Sequence, residues 1–401
     1  MDRFSARDMG FSLSQISSGD CAAAAARAAA ANLIFKIDYE NVTINHSHGA
    51  SRTYILQRAD DKCSSDQSEY VALMEGGAAP DIRERANIHV CVSRIKDLRE
   101  TADNSHIDLR YPNLFLRGGE GIGTAANDMN GIKKGQPLIE KESRALIFDA
   151  VADVCEASDG NQLLMITVSC PEGMMIAAKQ SMGQNAFTGG ITIMGSYGHI
   201  PPIHMREISD SIDAQIHYQT RQGIKSILVS PGRYCADKIA QSLHVDLKTS
   251  IWCYNFPGQA IDEAVAEGVE NLLLVGNAGK LVKLAAGIMN TNSTASDARR
   301  EIFAAHTALM GGTSAQAKTL MGCTTVDEML SLLDNWGLRD RVMQSIMHQI
   351  ELSVRRRCHG KLRFGVALFS EQFGLLGQTS DTRNVLVKVS QEQYALSLKM
   401  K

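Results

Sequence analysis

The sequence predicts two domains, an α+β domain over 1–188 followed by an α/β domain over 189–401 with a mainly parallel sheet. Two observations carry this expectation. Before residue 188, short strands of alternating polarity are interspersed with two helices. After it, four strand, glycine turn, helix units follow one another, the grammar of a parallel sheet covered on both faces. The change falls at Thr188-Gly189-Gly190.

The first element is a helix over 20–32, with Asp20 as N-cap ahead of an alanine-rich run. Residues 33–37, 42–44 and 52–56 read as strands, as do 70–74 and 87–95, the last setting Ile88, Val90 and Val92 against His89, Cys91 and Ser93. Gly118-Gly119-Glu120-Gly121-Ile122-Gly123 is too rich in glycine for a regular element and reads as a tight loop. A helix over 142–157 and a strand over 162–169 close at the turn 170–173. In the second half, strands over 191–194, 226–229, 250–254 and 271–275 each lead through glycine to helices over 205–220, 236–243, 259–267 and 278–289. Helices over 298–310, 326–333 and 340–357 and a strand over 362–369 complete that domain.

Apolar residues make up 44% of the chain and charged residues 21%, with a net charge of −3, an ordinary globular balance. It lacks the basic excess of a nucleic-acid binder, since Arg355-Arg356-Arg357 is short and isolated. Nine cysteines without a Cys-x-x-Cys pair fit reduced thiols and a cytoplasmic location. The charged N-terminus does not read as a signal peptide, and the alanine run, broken by Arg27, falls short of the ~20 apolar residues that span a bilayer. Homo-oligomerisation stays open.

In an open parallel sheet, small ligands bind at the carboxyl ends of the strands, where helix N-termini turn donors towards them. Those ends are Gly195-Ser196-Tyr197-Gly198, Ser230-Pro231-Gly232, Pro257-Gly258 and Gly276-Asn277-Ala278-Gly279-Lys280. Gly118–Gly123 lacks the context of a dinucleotide fingerprint, and Gly276–Lys280 lacks the phosphate-loop spacing. Glu120, flanked by glycines, is a carboxylate that can approach a substrate closely. Cys21, at the start of a helix, would have a pKa lowered by the helix dipole, but a buried, inert cysteine is the commoner case. His46, His48, His199, His204 and His306 lack zinc-like spacing and read as structural or surface residues.

Four blocks carry a resemblance. LLLVGNAGKLVKLAAGIMNTNSTASDARREIFAAHT (272–307) resembles the central signature of the cobalt-precorrin-5B C-methyltransferase family, CbiD. SSGDCAAAAARAAA (17–30), GGEGIG (118–123) and FTGGITIMGSYGHIPP (187–202) are similar to its other blocks in the same order. The resemblance implies a CbiD-like fold with a Rossmann-like second domain, S-adenosyl-L-methionine as methyl donor, and methylation of a corrin-ring carbon in anaerobic cobalamin synthesis. The strand ends Gly195, Ser196, Tyr197, Gly198, Ser230, Gly232, Gly276, Asn277 and Lys280 are then the candidate cofactor cleft, the alternative being that their glycines only permit tight turns. Glu120, Cys21 and Asn292 are then candidate catalytic residues, and Ser17, Ser18, Gly119, Asp297 and Arg299 candidate substrate-binding residues. No protein metal is expected, because in-line methyl transfer asks mainly for positioning and electrostatics.

Asn277 and Asn292 stand where the family has histidine, replacing a ring that titrates near neutrality by an amide that does not. The family's acidic stretch becomes Glu75-Gly76-Gly77-Ala78-Ala79-Pro80-Asp81-Ile82-Arg83, and its proline-rich stretch becomes Glu140-Lys141-Glu142-Ser143-Arg144. These departures frame an alternative, a related enzyme using the same cofactor on another small molecule, by methyl transfer or by displacement or elimination that releases methylthioadenosine. A catalytically silent binding subunit is the third reading.

Overall fold

A computed structural model describes residues 16–46, 51–75, 81–82, 85–95, 101, 104–128, 131–158, 162–179, 187–195, 198–201, 203, 205–293 and 295–399. The chain divides into two compact units, 1–204 and 205–401.

The first unit contains α1 (Ser18–Phe35), β1 (Asn41–His46), β2 (Ser51–Arg58), β3 (Gln67–Met74), β4 (Ala86–Arg94), β5 (His106–Ile107), β6 (Leu114–Gly118) and β7 (Thr124–Ala125). After these come α2 (Lys141–Ala157), β8 (Leu164–Ser169), α3 (Gly173–Lys179), β9 (Phe187–Thr188) and β10 (Gly198–His199). Eight strands form one sheet in the order β10-β1-β2-β3-β4-β8-β6-β5, and β7 pairs with β9. Within the large sheet every pairing is antiparallel except β6 with β8.

Ile88, Val90 and Val92 of β4 are buried and alternate with half-exposed His89, Cys91 and Ser93, as their polarity predicts. Helix α1 lies on β3 and β4 and against α2, and all its residues are buried. Alanine suits that position because it adds little bulk between a helix and its neighbours. The two helices run in the same direction: Gly19 stands against Ser143, while Arg27, 3% exposed, reaches the Ala150 carbonyl at 3.5 Å and pairs with Asp153. Two expectations are corrected here. Residues 33–35 extend α1 instead of forming a strand, because Leu33, Ile34 and Phe35 are buried on every side and the turn to Lys36 (φ 55°) ends the helix. The N-cap is Ser17, whose hydroxyl accepts the Asp20 N–H, so Asp20 lies inside the first turn.

The second unit contains α4 (Met205–Arg221), β11 (Ser226–Ser230), α5 (Ala236–Leu243), β12 (Ile251–Trp252), α6 (Pro257–Ala266), β13 (Asn271–Asn277), α7 (Ala278–Leu281), α8 (Arg299–Leu309), α9 (Ser314–Met321), α10 (Val326–Asn335), α11 (Arg339–Arg357), β14 (Arg363–Ser370), β15 (Gly374–Gln378) and α12 (Thr382–Lys399). Its sheet has the order β12-β11-β13-β14-β15, parallel from β12 to β14 and antiparallel at β15. Leu228, Leu273, Val275, Ala367 and Phe369 form a core with Ile239 of α5 and Val385 and Val389 of α12. This is a mixed sheet, and the large sheet of the first unit is mostly antiparallel.

The segment 191–194 does not open the parallel sheet. Ile191 bridges Ile122 and Ile193 bridges Ile139, so hydrogen bonds with the glycine loop and the approach to α2 hold it in the first unit. The helix expected over 278–289 stops at Leu281, tightens into a 3-10 turn over Val282–Ala286 and ends at Gly287 (φ 73°).

Candidate functional site

In the first unit, the N-terminus of α1 is built into a polar cluster. The Ser17 hydroxyl donates to the Gly195 carbonyl. The Ser18 N–H and hydroxyl donate to the two Asp81 carboxylate oxygens at 2.8 and 2.7 Å, and the Ile82 N–H adds a third bond at 2.7 Å. Met194 donates to the Ser18 hydroxyl at 3.0 Å and accepts the Gly19 N–H at 2.9 Å. Asp81 is 6% exposed, and burial pushes its carboxyl up to about 6 despite the three donors. Gly195 therefore stands beside Ser17 and Ser18, whose hydroxyls are committed to the protein itself. Ser196, Tyr197, His48, His204, residues 76–80 and Arg83 lie outside the described residues.

Cys21 is 0% exposed, and burial together with Asp20 and Asp81 pushes its thiol well up. Of the two readings of Cys21 the buried, inert one holds and the lowered pKa is corrected: desolvation and two neighbouring carboxylates outweigh the helix dipole. Gly198 pairs with His46 on β1, and neither it nor Gly195 ends a strand of the parallel sheet, which corrects their expected place.

The loop after β6 is clasped by backbone on both sides. Gly119 donates to the Val168 carbonyl at 2.7 Å, Cys170 donates to the Glu120 carbonyl at 2.8 Å, and Ile191 donates to the Gly121 carbonyl at 2.9 Å. Gly121 (φ 73°) touches Cys170, and both Gly173 and Gly190 lie against the Gly121 carbonyl, so no side chain fits at any of the three. This crowding holds the Glu120 side chain out into solvent.

In the second unit, Ser230, Gly232, Gly276, Asn277 and Lys280 gather at the carboxyl ends of β11 and β13. The Ser230 hydroxyl donates to the Gly232 carbonyl at 2.8 Å. Gly276 lies against Pro231, where an added Cβ would stand 2.7 Å from the ring. Asn277 caps α7 by accepting the Gly279 N–H at 2.5 Å, and its amide donates to the Cys235 sulfur at 3.7 Å. Lys280 donates to Asn255 at 2.7 Å. The loop after Gly287 carries Asn292 and Asp297 and leads to Arg299, the first residue of α8. Lys283, 1% exposed, holds it through the carbonyls of Thr291 (2.9 Å) and Ser296 (3.0 Å). The Arg299 guanidinium beside Asp297, with Lys283 behind it, holds that carboxyl down at about 2.

Sequence reasoning missed Lys283, Asn255 and Asp81 as members of these clusters. Lys283 was detectable as a lone charge in an apolar stretch, whereas Asn255 and Asp81 acquire their roles only through contacts distant in sequence. Among the described residues no three His, Cys, Asp or Glu side chains converge as a metal site. His46 lies 3.7 Å from Asp20 and His306 2.7 Å from Ser345. No helix among the described residues is long and apolar enough to cross a membrane.

Comparison with known proteins accounts for both units. The CbiD family model matches residues 10–202, and the model of the CbiD C-terminal domain matches residues 290–380. The cobalt-precorrin-5B C(1)-methyltransferase of Ruminiclostridium cellulolyticum is 30% identical over 353 residues, covering 88% of each chain. That of Alkaliphilus metalliredigens is 28% identical over 368 residues, covering 92% of each. A solved structure of the cobalamin biosynthesis protein CbiD from Archaeoglobus fulgidus overlaps with a TM-score of 0.31 at 17% identity, over 72% of this chain and 83% of that one. Matched along nearly its whole length by relatives of this kind, the chain belongs to the CbiD family.

Proposed function

We propose that this protein is a cobalt-precorrin-5B C(1)-methyltransferase that uses S-adenosyl-L-methionine as methyl donor. The observation that carries the reading is the 30% identity over 88% of both chains with a protein of that name. The parallel run of four strands from β12 to β14, with its glycine-bearing carboxyl ends, supports a Rossmann-like reading of the second unit.

The residues at those ends fit an adenosyl donor. Among the described residues, nothing stands within 4 Å of where a Cβ would project from Gly232 and the buried Thr291 hydroxyl has no partner, and Lys280 is half-buried. Ser230, Gly232, Gly276, Asn277 and Lys280 would hold the cofactor, which supplies a methyl group on a sulfonium. Lys280 offers a cation to a carboxylate. Asn277, with its oxygen on Gly279 and its amide on Cys235, fixes the turn and moves no proton. Lys283 orients the loop that carries Asn292 and Asp297 up to Arg299 at the start of α8, and Asp297 stays ionised throughout the neutral range. In the first unit Glu120 and Gly119 face the substrate, while Ser17, Ser18 and Asp81 position the segment around Gly195.

The test is incubation of the purified protein with S-adenosylmethionine and cobalt-precorrin-5B, followed by mass spectrometry. S-adenosylhomocysteine together with a corrinoid heavier by one methyl group is expected. Methylthioadenosine formed without acceptor, or no product at all, overturns the reading.

A further inference from the structure

The face of the eight-stranded sheet turned away from α1 carries a row of side chains in register: Arg117 on β6, Thr167 on β8, Cys91 on β4 and Glu69 on β3. Glu69 is already matched, by Lys62 at 2.8 Å and His89 at 2.9 Å. At the other end of the row, the Arg117 Nε donates to the Thr167 hydroxyl at 2.9 Å, and Arg117 has no carboxylate partner among the described residues. Its anchored guanidinium stands in a cleft of about 380 Å³ lined also by Asn104, Gly118, Gly119, Thr124 and Thr167, where the strand turns into the glycine loop.

We infer that Arg117 is a substrate-binding residue that receives a carboxylate from the rim of an acidic tetrapyrrole. A guanidinium tethered through Nε keeps both terminal nitrogens in a fixed fork, the geometry that pairs two parallel hydrogen bonds with a carboxylate. Thr167 sets the plane of that fork. The nearest acid on the row, Glu69, is occupied by two bases and does not compete for it. Asn104 and Thr124 supply polar groups at the same cleft, and Glu120 extends from the loop beside it. The inference rests on the reading of the chain as a tetrapyrrole methyltransferase and adds to it a binding position on the first unit.

The test uses the full chain and uroporphyrin, an octacarboxylate tetrapyrrole, as fluorescent probe. Arg117→Ala is expected to weaken binding about tenfold to hundredfold, the usual consequence of losing a charge-assisted pair. Arg117→Lys should recover only part of the affinity, because an ammonium offers a point charge instead of a fork. Arg85→Ala, removing an exposed arginine at the far end of β4, should leave the affinity unchanged. In turnover, Arg117→Ala should raise KM for the corrinoid and leave KM for S-adenosylmethionine alone. Absence of probe binding by the wild type, or equal affinity in wild type and Arg117→Ala, overturns the inference. Arg117-dependent probe binding in a protein that fails to methylate cobalt-precorrin-5B would overturn the proposed reaction and leave this site standing.

Discussion

Gly121 and Gly135 both adopt the left-handed region, with φ of 73° and 84°, but their surroundings differ. A Cβ on Gly121 would collide with the Cys170 carbonyl and the Gly173 nitrogen, whereas nothing lies within 4 Å of one on Gly135. Alanine at either position bears a left-handed penalty of roughly 1–2 kcal/mol, partly offset by about 0.4–1 kcal/mol from a less flexible unfolded chain. Gly135→Ala should therefore destabilise by about 1 kcal/mol. Gly121→Ala adds an overpacking cost of roughly 1–3 kcal/mol, near the upper end because the obstacle is backbone and cannot rotate away. At roughly 2–4 °C per kcal/mol for a unit of this size, thermal unfolding followed by circular dichroism should show a loss of about 2–4 °C for Gly135→Ala and, for a total of about 4 kcal/mol, about 8–16 °C for Gly121→Ala. Equal shifts would refute the argument that backbone crowding fixes the loop carrying Glu120.

Four further outcomes follow from the same structure. Cys21, buried with a raised pKa, should escape iodoacetamide at pH 8 in the native protein and react after unfolding; native labelling would contradict its placement. Asp81 holds its proton up to about pH 6 when folded and to 3.8 in the ordinary state, so its contribution to stability is present below about pH 4 and lost as pH rises through 6. That shift corresponds to about 3 kcal/mol, and the stability difference between Asp81→Asn and wild type, from urea unfolding, should move by that amount in the variant's favour between pH 4 and 7.5; a pH-independent difference would refute it. Arg27→Met leaves Asp153 unpaired at the α1–α2 contact and should cost about 3 kcal/mol in urea unfolding, the lower end for a buried pair because the Asp153 side chain is 30% exposed. Lys283→Met releases the Thr291 and Ser296 carbonyls and should speed proteolytic cleavage within 288–298; an unchanged cleavage rate would mean that the loop holds itself.

Local chemistry was legible where it dominates. The alternation of β4, the alanine helix and the glycine loop follow from period, propensity and the absence of Cβ atoms, and the family blocks were readable because they are contiguous. The expected strand at 33–37 failed because a short run of large apolar residues looks the same in a strand and at the end of a fully buried helix. The segment 191–194 was read as the first strand of the parallel sheet because glycine follows it, but bonds to Ile122 and Ile139 decide its partners. Cys21 shows the same division: its position at a helix start argues for a low pKa, and the burial that reverses the sign is a property of the packed structure.

By itself the sequence determined much of the secondary-structure period and the family, both of which reside in neighbouring residues. Only the tertiary structure decided that Ser17 and Ser18 are occupied by Gly195 and Asp81, that Lys283 holds the loop of Asn292, and that Arg117 is tethered to Thr167 beside the glycine loop. The reason is physical. A polar group's role depends on which partners and how much water surround it, and both are set by chain segments tens to hundreds of residues away.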